Sequence, residues 1–373
     1  MEPNNPHQID VCSLTQSQEV TAYANGGLFP VLVATPDGAL IAVLRGGAGH
    51  LGTEGRIEVI RSLDQGRTWS PGAVVADSER DDRNPALGVS RQGTVILAYH
   101  RQGNYDETGN YVHGEASDPA RVEVMITRSH DGGLGWEEPA PLRVEPLTSA
   151  SPFGKIVSLA DGTLLLALYG KGSWIIRSQD DGKSWGEPSL IAPGTNETAL
   201  LALPDGGLLA VLRGEDKDQA LHVARSADGG HTWSAPVQIT GPRQHPGDLL
   251  LLGNGDILLT YGNRNPPYRV EGRISRDGGR TWLDTLLTFS GHLYGYTATP
   301  RRATDLGYPS SALVDGMGVT LYYYNPSYNR PAGAEAALTR SQNPALYSAS
   351  NYRAVALRWD EAALIAAVEE ATG

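Results

Sequence analysis

The apolar residues of this chain fall into six paired runs, each pair folded about a turn glycine: VLVATPDGALIAVLR, ALGVSRQGTVILAYH, KIVSLADGTLLLALY, ALLALPDGGLLAVLR, DLLLLGNGDILLTYG and SSALVDGMGVTLYYY. Asp-Gly and Asn-Gly at the turns favour two-residue hairpin loops, because both central positions need positive φ. Each run is nearly continuous in Val, Leu, Ile and Ala rather than alternating. That pattern predicts strands buried on both faces.

Polar punctuation separates the hairpins. A motif of the Ser-x-Asp-x-Gly-x-Thr-Trp type recurs at Ser62–Trp69, Ser129–Trp136, Ser178–Trp185, Ser226–Trp233 and Ser275–Trp282, with starts 67, 49, 48 and 49 residues apart. Asp and Gly supply a turn, and the closing Trp packs back as an apolar plug, so the motif reads as scaffold. One apolar hairpin plus one outer hairpin makes a four-stranded antiparallel blade. Six such blades close radially into an all-β, six-bladed β-propeller spanning residues 1–373 as a single domain. The chain ends inside the sixth blade. The neighbourhood of Leu357–Asp360 is expected to supply its outer strand, with N-terminal residues pairing to close the ring. Asp360–Thr372 carries a helical pattern, and the polar insertion Gly103–Pro119 is the kind of long loop that covers a binding face.

Composition sharpens this picture. Glycine (45) and proline (24) are abundant among 373 residues, as tight turns require, and helical bundles are excluded. A net charge of −12 without a basic run argues against nucleic acid or an anionic membrane as partner. No apolar run approaches the roughly 18 residues of a membrane span. Cys12 is the sole cysteine, which excludes an intrachain disulfide and a cysteine-rich zinc site. The N-terminus has no signal-peptide pattern, which points to the cytoplasm if that end is native and to export if a leader has been trimmed.

Aligning the hairpins on their turn glycines locates a site. Nine residues before each glycine stand Phe29, Asn84, Phe153, Glu197, Pro246 and, in the sixth hairpin, Tyr308. Seven residues after it stand Arg45, His100, Tyr169, Arg213 and Gly262, followed by Asn263 and Arg264. Both sets lie at the end of the hairpin opposite its turn. Innermost strands surround the propeller axis, so these residues are expected to converge on one central pocket. Its inventory is cationic in an acidic chain: Arg45, Arg213 and Arg264 or Arg269, with Glu197, Tyr308, His245 and Asp248. Guanidinium forks match carboxylates, so an anionic small ligand is the expected guest.

With these motifs in view, residues 27–325 resemble the sialidase, or neuraminidase, superfamily of Asp-box propellers. Asn196-Glu197-Thr198 before the hairpin ending at Arg213 is similar to the family's glutamate and carboxylate-binding arginine. Gly307-Tyr308-Pro309-Ser310 resembles the context of its nucleophilic tyrosine. Arg269, with Arg264 as competitor, resembles a further arginine, and Arg45 one lining the site. The resemblance implies a retaining exo-glycoside hydrolase acting on a terminal acidic sugar or sialylated glycan, with no cofactor or metal. In it Tyr308 is the nucleophile and Glu197 takes its proton.

The sequence departs from the family in two places. Leu28 stands where the first arginine of the carboxylate-binding triad belongs, and Arg83 is a candidate replacement. The acid/base aspartate expected after Arg45 is absent, leaving His50, Glu54 or Asp82 as candidate acids. Asn84, Lys155, His245 and Asp248 add polar groups. The departures suggest another acidic sugar, and two alternatives stay open: a uronate-directed hydrolase or lyase, and a non-catalytic glycan-binding propeller.

Overall fold

Among the residues described by the computed structural model (8–112, 114–147, 149–290, 305–325, 340–341, 344–350 and 352–373), the strands form six sheets of four or five strands arranged as propeller blades. The first blade runs outward through Leu28–Ala34, Leu40–Gly46, Arg56–Ser62 and Ala73–Ala76. The second is Asp81–Val89, Val95–Gln102, Val122–Ser129 and Ala140–Leu142. In the third, the innermost strand is broken into Ser151–Pro152 and Val157–Ser158, backed by Leu164–Tyr169, Ser173–Ser178 and Gly186–Ala192, while Gly154–Lys155 between them pairs in parallel with Asp81–Val89 of the second blade. The fourth and fifth open with Thr195–Ala202 and Leu208–Gly214, and with Gln244–Leu251 and Ile257–Asn263.

The sixth blade closes the ring. Its inner hairpin is Leu306–Val314 and Met317–Tyr324, and its third strand is Arg353–Asp360. The outermost strand is Gln18–Ala24 from the N-terminal region, antiparallel to Arg353–Asp360. The segment expected as the outer strand is therefore third, and N-terminal residues take the edge. A second N-terminal strand, Gln8–Asp10, adds in parallel to Leu286–Thr288 of the fifth blade.

The continuous apolar runs are explained by packing on both faces. In Leu40–Gly46 the residues Leu40, Ala42 and Leu44 meet the sixth blade, whereas Ile41 and Val43 meet the second. A strand between two blades has no solvent face, so alternation is lost. The Asp boxes cap the outer turns. Ser62 Oγ donates to Asp64 Oδ1 at 2.8 Å, Thr68 N and Oγ1 donate to the same carboxylate at 2.9 and 2.7 Å, and the other four boxes repeat the pairing of serine with aspartate. Trp136, Trp185 and Trp233 return their indole N–H groups to the box glycine carbonyls.

The C-terminal helix, Glu361–Thr372, is capped by Asp360, whose carboxylate accepts from Ala363 N at 2.8 Å. It buries Leu364 and Val368 against the fifth and sixth blades. Among the described residues no helix is long and apolar enough to cross a membrane. The insertion folds back: Tyr105 and Tyr111 pack with Leu51, Leu346 and Tyr347 beside the central pocket.

Candidate active site

Five of the six innermost strands are interrupted at the same level. The pairing register shifts between Leu28 and Val31, Arg83 and Ala86, Asn196 and Ala199, Gln244 and Gly247, and Gly307 and Ser310. Each shift is a β-bulge, which turns a side chain out of the sheet alternation. At the bulges Phe29 (φ 53°), Asn84 (48°), Glu197 (27°) and Tyr308 (49°) occupy the left-handed region. Such backbone costs about 1–3 kcal/mol per non-glycine residue and persists only where its surroundings enforce it. These are the residues aligned nine positions before the turn glycines. The bulges aim them toward the propeller axis, where a narrow cavity of about 20 Å³ is lined by Phe29, Asn84, Phe153, Asp248 and Tyr308.

Glu197 of the fourth blade and Tyr308 of the sixth form the centre of the site. Tyr308 Oη donates to Glu197 Oε1 at 2.5 Å, and Arg213 Nη1 donates to Glu197 Oε2 at 2.5 Å. Burial, and then the Glu197 charge, push the Tyr308 phenol well above its ordinary value. Burial opposes ionisation of Glu197 too, but Arg213 and the Tyr308 hydroxyl outweigh it and hold the carboxyl below its usual range. At rest the phenol keeps its proton beside an ionised carboxylate. The pair can therefore deliver a nucleophilic oxygen only as the proton passes to Glu197.

Arg264, not Arg269, accompanies this pair. Its guanidinium carbon stands 5.6 Å from the Tyr308 ring centroid, and its Nε and Nη2 are buried without a hydrogen-bond partner among the described residues. Arg269 Nε is bound to Glu271 Oε1 at 2.6 Å, within a network that also takes Asn263 and Gln244. The reason lies in two glycines. A Cβ on Gly262 would sit 3.1 Å from Gly307 Cα, so the fifth and sixth blades touch backbone to backbone where an arginine stands in other repeats. The arginine is displaced two positions along. His245 lies nearby, buried, with Nδ1 unpartnered among the described residues. Burial, then Arg264, Arg213 and Arg243, lower its pKa and keep it neutral.

Arg83 stands across the pocket, 5.6 Å from the Phe29 centroid, with Nη1 3.5 Å from Asp81 Oδ2 and Nε 3.3 Å from Asn84 Oδ1. Asn84 Nδ2 donates to Tyr169 Oη and Ser151 Oγ at 2.9 and 3.2 Å. Leu28, where the first arginine is missing, is buried against Tyr323 and Tyr352.

Several expected site residues are committed elsewhere. Arg45 is fully buried and paired with Asp81, and it donates to the carbonyls of Gly49 and Gly52 at 2.7 and 3.2 Å. It organises the loop carrying His50 instead of presenting a free guanidinium to the pocket. Glu54 is half-exposed and bound to Arg340 at 2.5 Å, which lowers its pKa. Asp82 is buried away from Tyr308, accepting from Ser78 N at 2.7 Å and pairing with Arg101 at 3.3 Å. Strand alternation sends it to the opposite face from Arg83. Lys155 Nζ is saturated by Asp248 at 2.8 and 2.9 Å and by the Leu249 carbonyl at 3.1 Å, and Asp248 also accepts from Ser311 N. That pair pins inner strands together beneath the site.

His50 does reach the pocket rim. Its ring meets Phe29 edge-on at 5.1 Å, Phe29 lies 4.9 Å from the Tyr308 ring, and Nδ1 lies 3.0 Å from Asp305 Oδ2. Asp305 was not among the residues the repeats exposed, because it precedes the sixth hairpin outside the aligned positions. Its proximity in sequence to Tyr308 is the signal that could have found it. Among the described residues no cluster of three or more His, Cys, Asp or Glu is disposed to hold a metal ion.

With the fold and this geometry established, relatives can be set beside them. The BNR repeat-like domain profile matches residues 38–322, and the chain belongs to that family as a divergent member of the sialidase superfamily. A sialidase from Micromonospora viridifaciens is 26% identical over 292 residues, covering 68% of this chain and 44% of that protein. The chain thus spans less than half the length of that relative. The crystal structure of a Dyadobacter fermentans protein of unknown function superposes with a TM-score of 0.71 at 20% identity, covering 93% of this chain and all of that one. A Hadza microbial sialidase superposes at 0.63 with 20% identity, covering 91% and 66%. At these identities the structural likeness establishes the fold.

Proposed function

We propose that this chain is a retaining exo-glycoside hydrolase of sialidase type that removes a terminal acidic sugar. The observation carrying the reading is the continuous chain Tyr308–Glu197–Arg213, with both hydrogen bonds at 2.5 Å, beside Arg213 Nε and Arg264 Nε and Nη2, which have no partner among the described residues. Tyr308 Oη attacks the anomeric carbon as its proton moves to Glu197, and the glycosidic C–O bond breaks. A neutral phenol suits this task, since a carboxylate would be repelled by a substrate carboxylate at the reacting centre. Arg264 and Arg213 face the sugar carboxylate, with Arg83 across the pocket in place of the arginine lost at Leu28.

His50 is the acid. Of the three candidates, Glu54 is tied to Arg340 and Asp82 to Ser78 and Arg101, whereas His50 faces the pocket beside Phe29. It protonates the leaving oxygen, then takes a proton from the water that releases the sugar from Tyr308, and Glu197 returns its proton to the phenol.

Fluorogenic sialosides and glucuronides test the reading with wild type, Tyr308→Phe and Glu197→Gln. Loss of general-base assistance is expected to lower kcat by about 10²–10⁴-fold in Glu197→Gln. Turnover unaffected by either substitution would exclude the nucleophile pair. The missing arginine at Leu28 favours a second substrate, a uronate, and preference for glucuronides over sialosides would select it. Failure of wild type on every acidic glycoside would leave a glycan-binding propeller.

A further inference from the structure

Asp305 receives an unusual convergence of donors. His50 Nδ1 lies 3.0 Å from Oδ2, Tyr352 Oη donates to Oδ2 at 2.7 Å, and Tyr323 Oη donates to Oδ1 at 2.7 Å. Its side chain is almost fully buried. The two tyrosines come from the second strand of the sixth hairpin and from the segment before Arg353, and they meet on one carboxylate. Both oxygens are anchored, so the carboxylate cannot rotate. His50, in a loop, is thereby held by a fixed acceptor.

We infer that Asp305 is the positioning residue of the acid/base, fixing the His50 imidazole with its proton on Nδ1 and its Nε2 toward the glycosidic oxygen. The inference rests on the proposed hydrolase reading and adds to it a residue outside the nucleophile pair. When His50 is doubly protonated, Asp305 bears its counter-charge and Nε2 donates to the leaving group. After that transfer the neutral ring keeps Nδ1–H on Asp305, and the Nε2 lone pair accepts the proton of the incoming water. One geometry serves both half-reactions, and the proton balance closes at Nε2 alone.

Other charged groups bear on this site from neighbouring elements. Arg264 approaches from the fifth blade, Arg83 from the second across Phe29, and Tyr308 and Tyr323 share the sixth blade with Asp305. Burial opposes ionisation of Asp305, but His50, Arg264 and the Tyr323 hydroxyl together hold it well below the usual carboxylate range. It is therefore charged throughout the working pH range.

Asp305→Asn tests this directly. With one amide oxygen held by Tyr323, the amide nitrogen faces His50 and can donate to Nδ1, forcing the opposite tautomer. Side-chain ¹⁵N NMR of His50 is expected to show Nδ1–H in the neutral wild type and Nε2–H in the variant. On glycosides with poor leaving groups kcat/KM, which reports the steps up to formation of the glycosyl-enzyme, is expected to fall about 10²-fold, with little change for an activated aryl glycoside that needs no protonation in those steps. His50→Gln combined with Asp305→Asn is expected to be no slower than His50→Gln alone.

An unchanged tautomer, or equal losses on both classes of leaving group, would overturn the role. If Asp305→Asn fails to fold, Tyr352→Phe removes one anchor, and a kcat/KM for poor leaving groups that does not fall relative to the activated aryl glycoside would overturn the role. If wild type hydrolyses no acidic glycoside, the hydrolase reading fails, whereas the tautomer measurement still decides whether Asp305 orients His50.

Discussion

The outer rim and the central pocket are built on the same repeat, yet they use it in opposite ways. At the rim every Asp box keeps its Ser, Asp, Gly and Trp and satisfies the aspartate locally: each accepts from its own serine and from backbone of its own turn. At the centre the positions recur but the residues do not. Phe29, Asn84, Glu197 and Tyr308 share one bulge, adopt strained backbone and reach across to other blades. Identity across repeats accompanies local satisfaction and scaffolding. Divergence at a fixed position accompanies long-range pairing.

Arg45 and Arg213 sharpen this, because they occupy the same repeat position. Arg213 pairs with Glu197 beside Tyr308, while Arg45 pairs with Asp81 and holds the His50 loop. Removing one partner of a buried ion pair costs about 3–5 kcal/mol. Arg45→Met is expected to lower stability by that amount in denaturant titrations, and a change below about 1 kcal/mol would mean the pair is not a scaffold element. Gly262→Ala is next in size. Its methyl meets the Gly307 backbone and the His245 carbonyl at 3.1 Å, so overpacking of about 1–3 kcal/mol is expected. The accompanying shift of Arg264 should raise KM for acidic substrates more than for neutral analogues.

The rim makes its own prediction in acid. Hydrogen bonds to the boxes outweigh burial and lower Asp64, Asp180 and Asp277 to about 2 each. An unfolded aspartate titrates near 3.9. The stability these groups contribute is complete above about pH 4 and lost as pH falls toward about 2. Acid titration followed by circular dichroism should show unfolding in that window, and Asp64→Asn should flatten its share of the slope. The smallest effect separates the tryptophans. Trp233 Nε1 donates to the Gly230 carbonyl at 3.0 Å, whereas Trp69 Nε1 is buried without a partner among the described residues. Trp233→Phe is expected to cost about 1 kcal/mol more in thermal unfolding than Trp69→Phe.

The limits of the sequence reading follow from the same contrast. The turn-glycine alignment found Glu197, Tyr308, Arg213 and Asn84 because bulges at a constant depth preserve the count from each turn. It overreached at Arg45, whose repeat position is right but whose charge is consumed by Asp81 from the next blade. The family resemblance favoured Arg269 over Arg264, because the contact between Gly262 and Gly307 is not encoded in spacing. Lys155 and Asp248 read as two pocket groups and are one buried pair. Glu54 and Asp82 had the chemistry of an acid but lost it to Arg340 and Arg101.

By itself the sequence determined the six hairpins, the Asp-box turns and the depth at which side chains converge, since all three depend on local turn chemistry and on strands buried on both faces. Only the tertiary structure decided which polar groups remain free there. That is set by partners on other blades, such as Asp81 for Arg45 and His50 for Asp305, and electrostatic pairing across tens or hundreds of residues leaves no periodic trace. The chain is acidic as a whole, yet its centre gathers Arg83, Arg213 and Arg264, because closing a ring brings to one axis charges that are far apart along the chain.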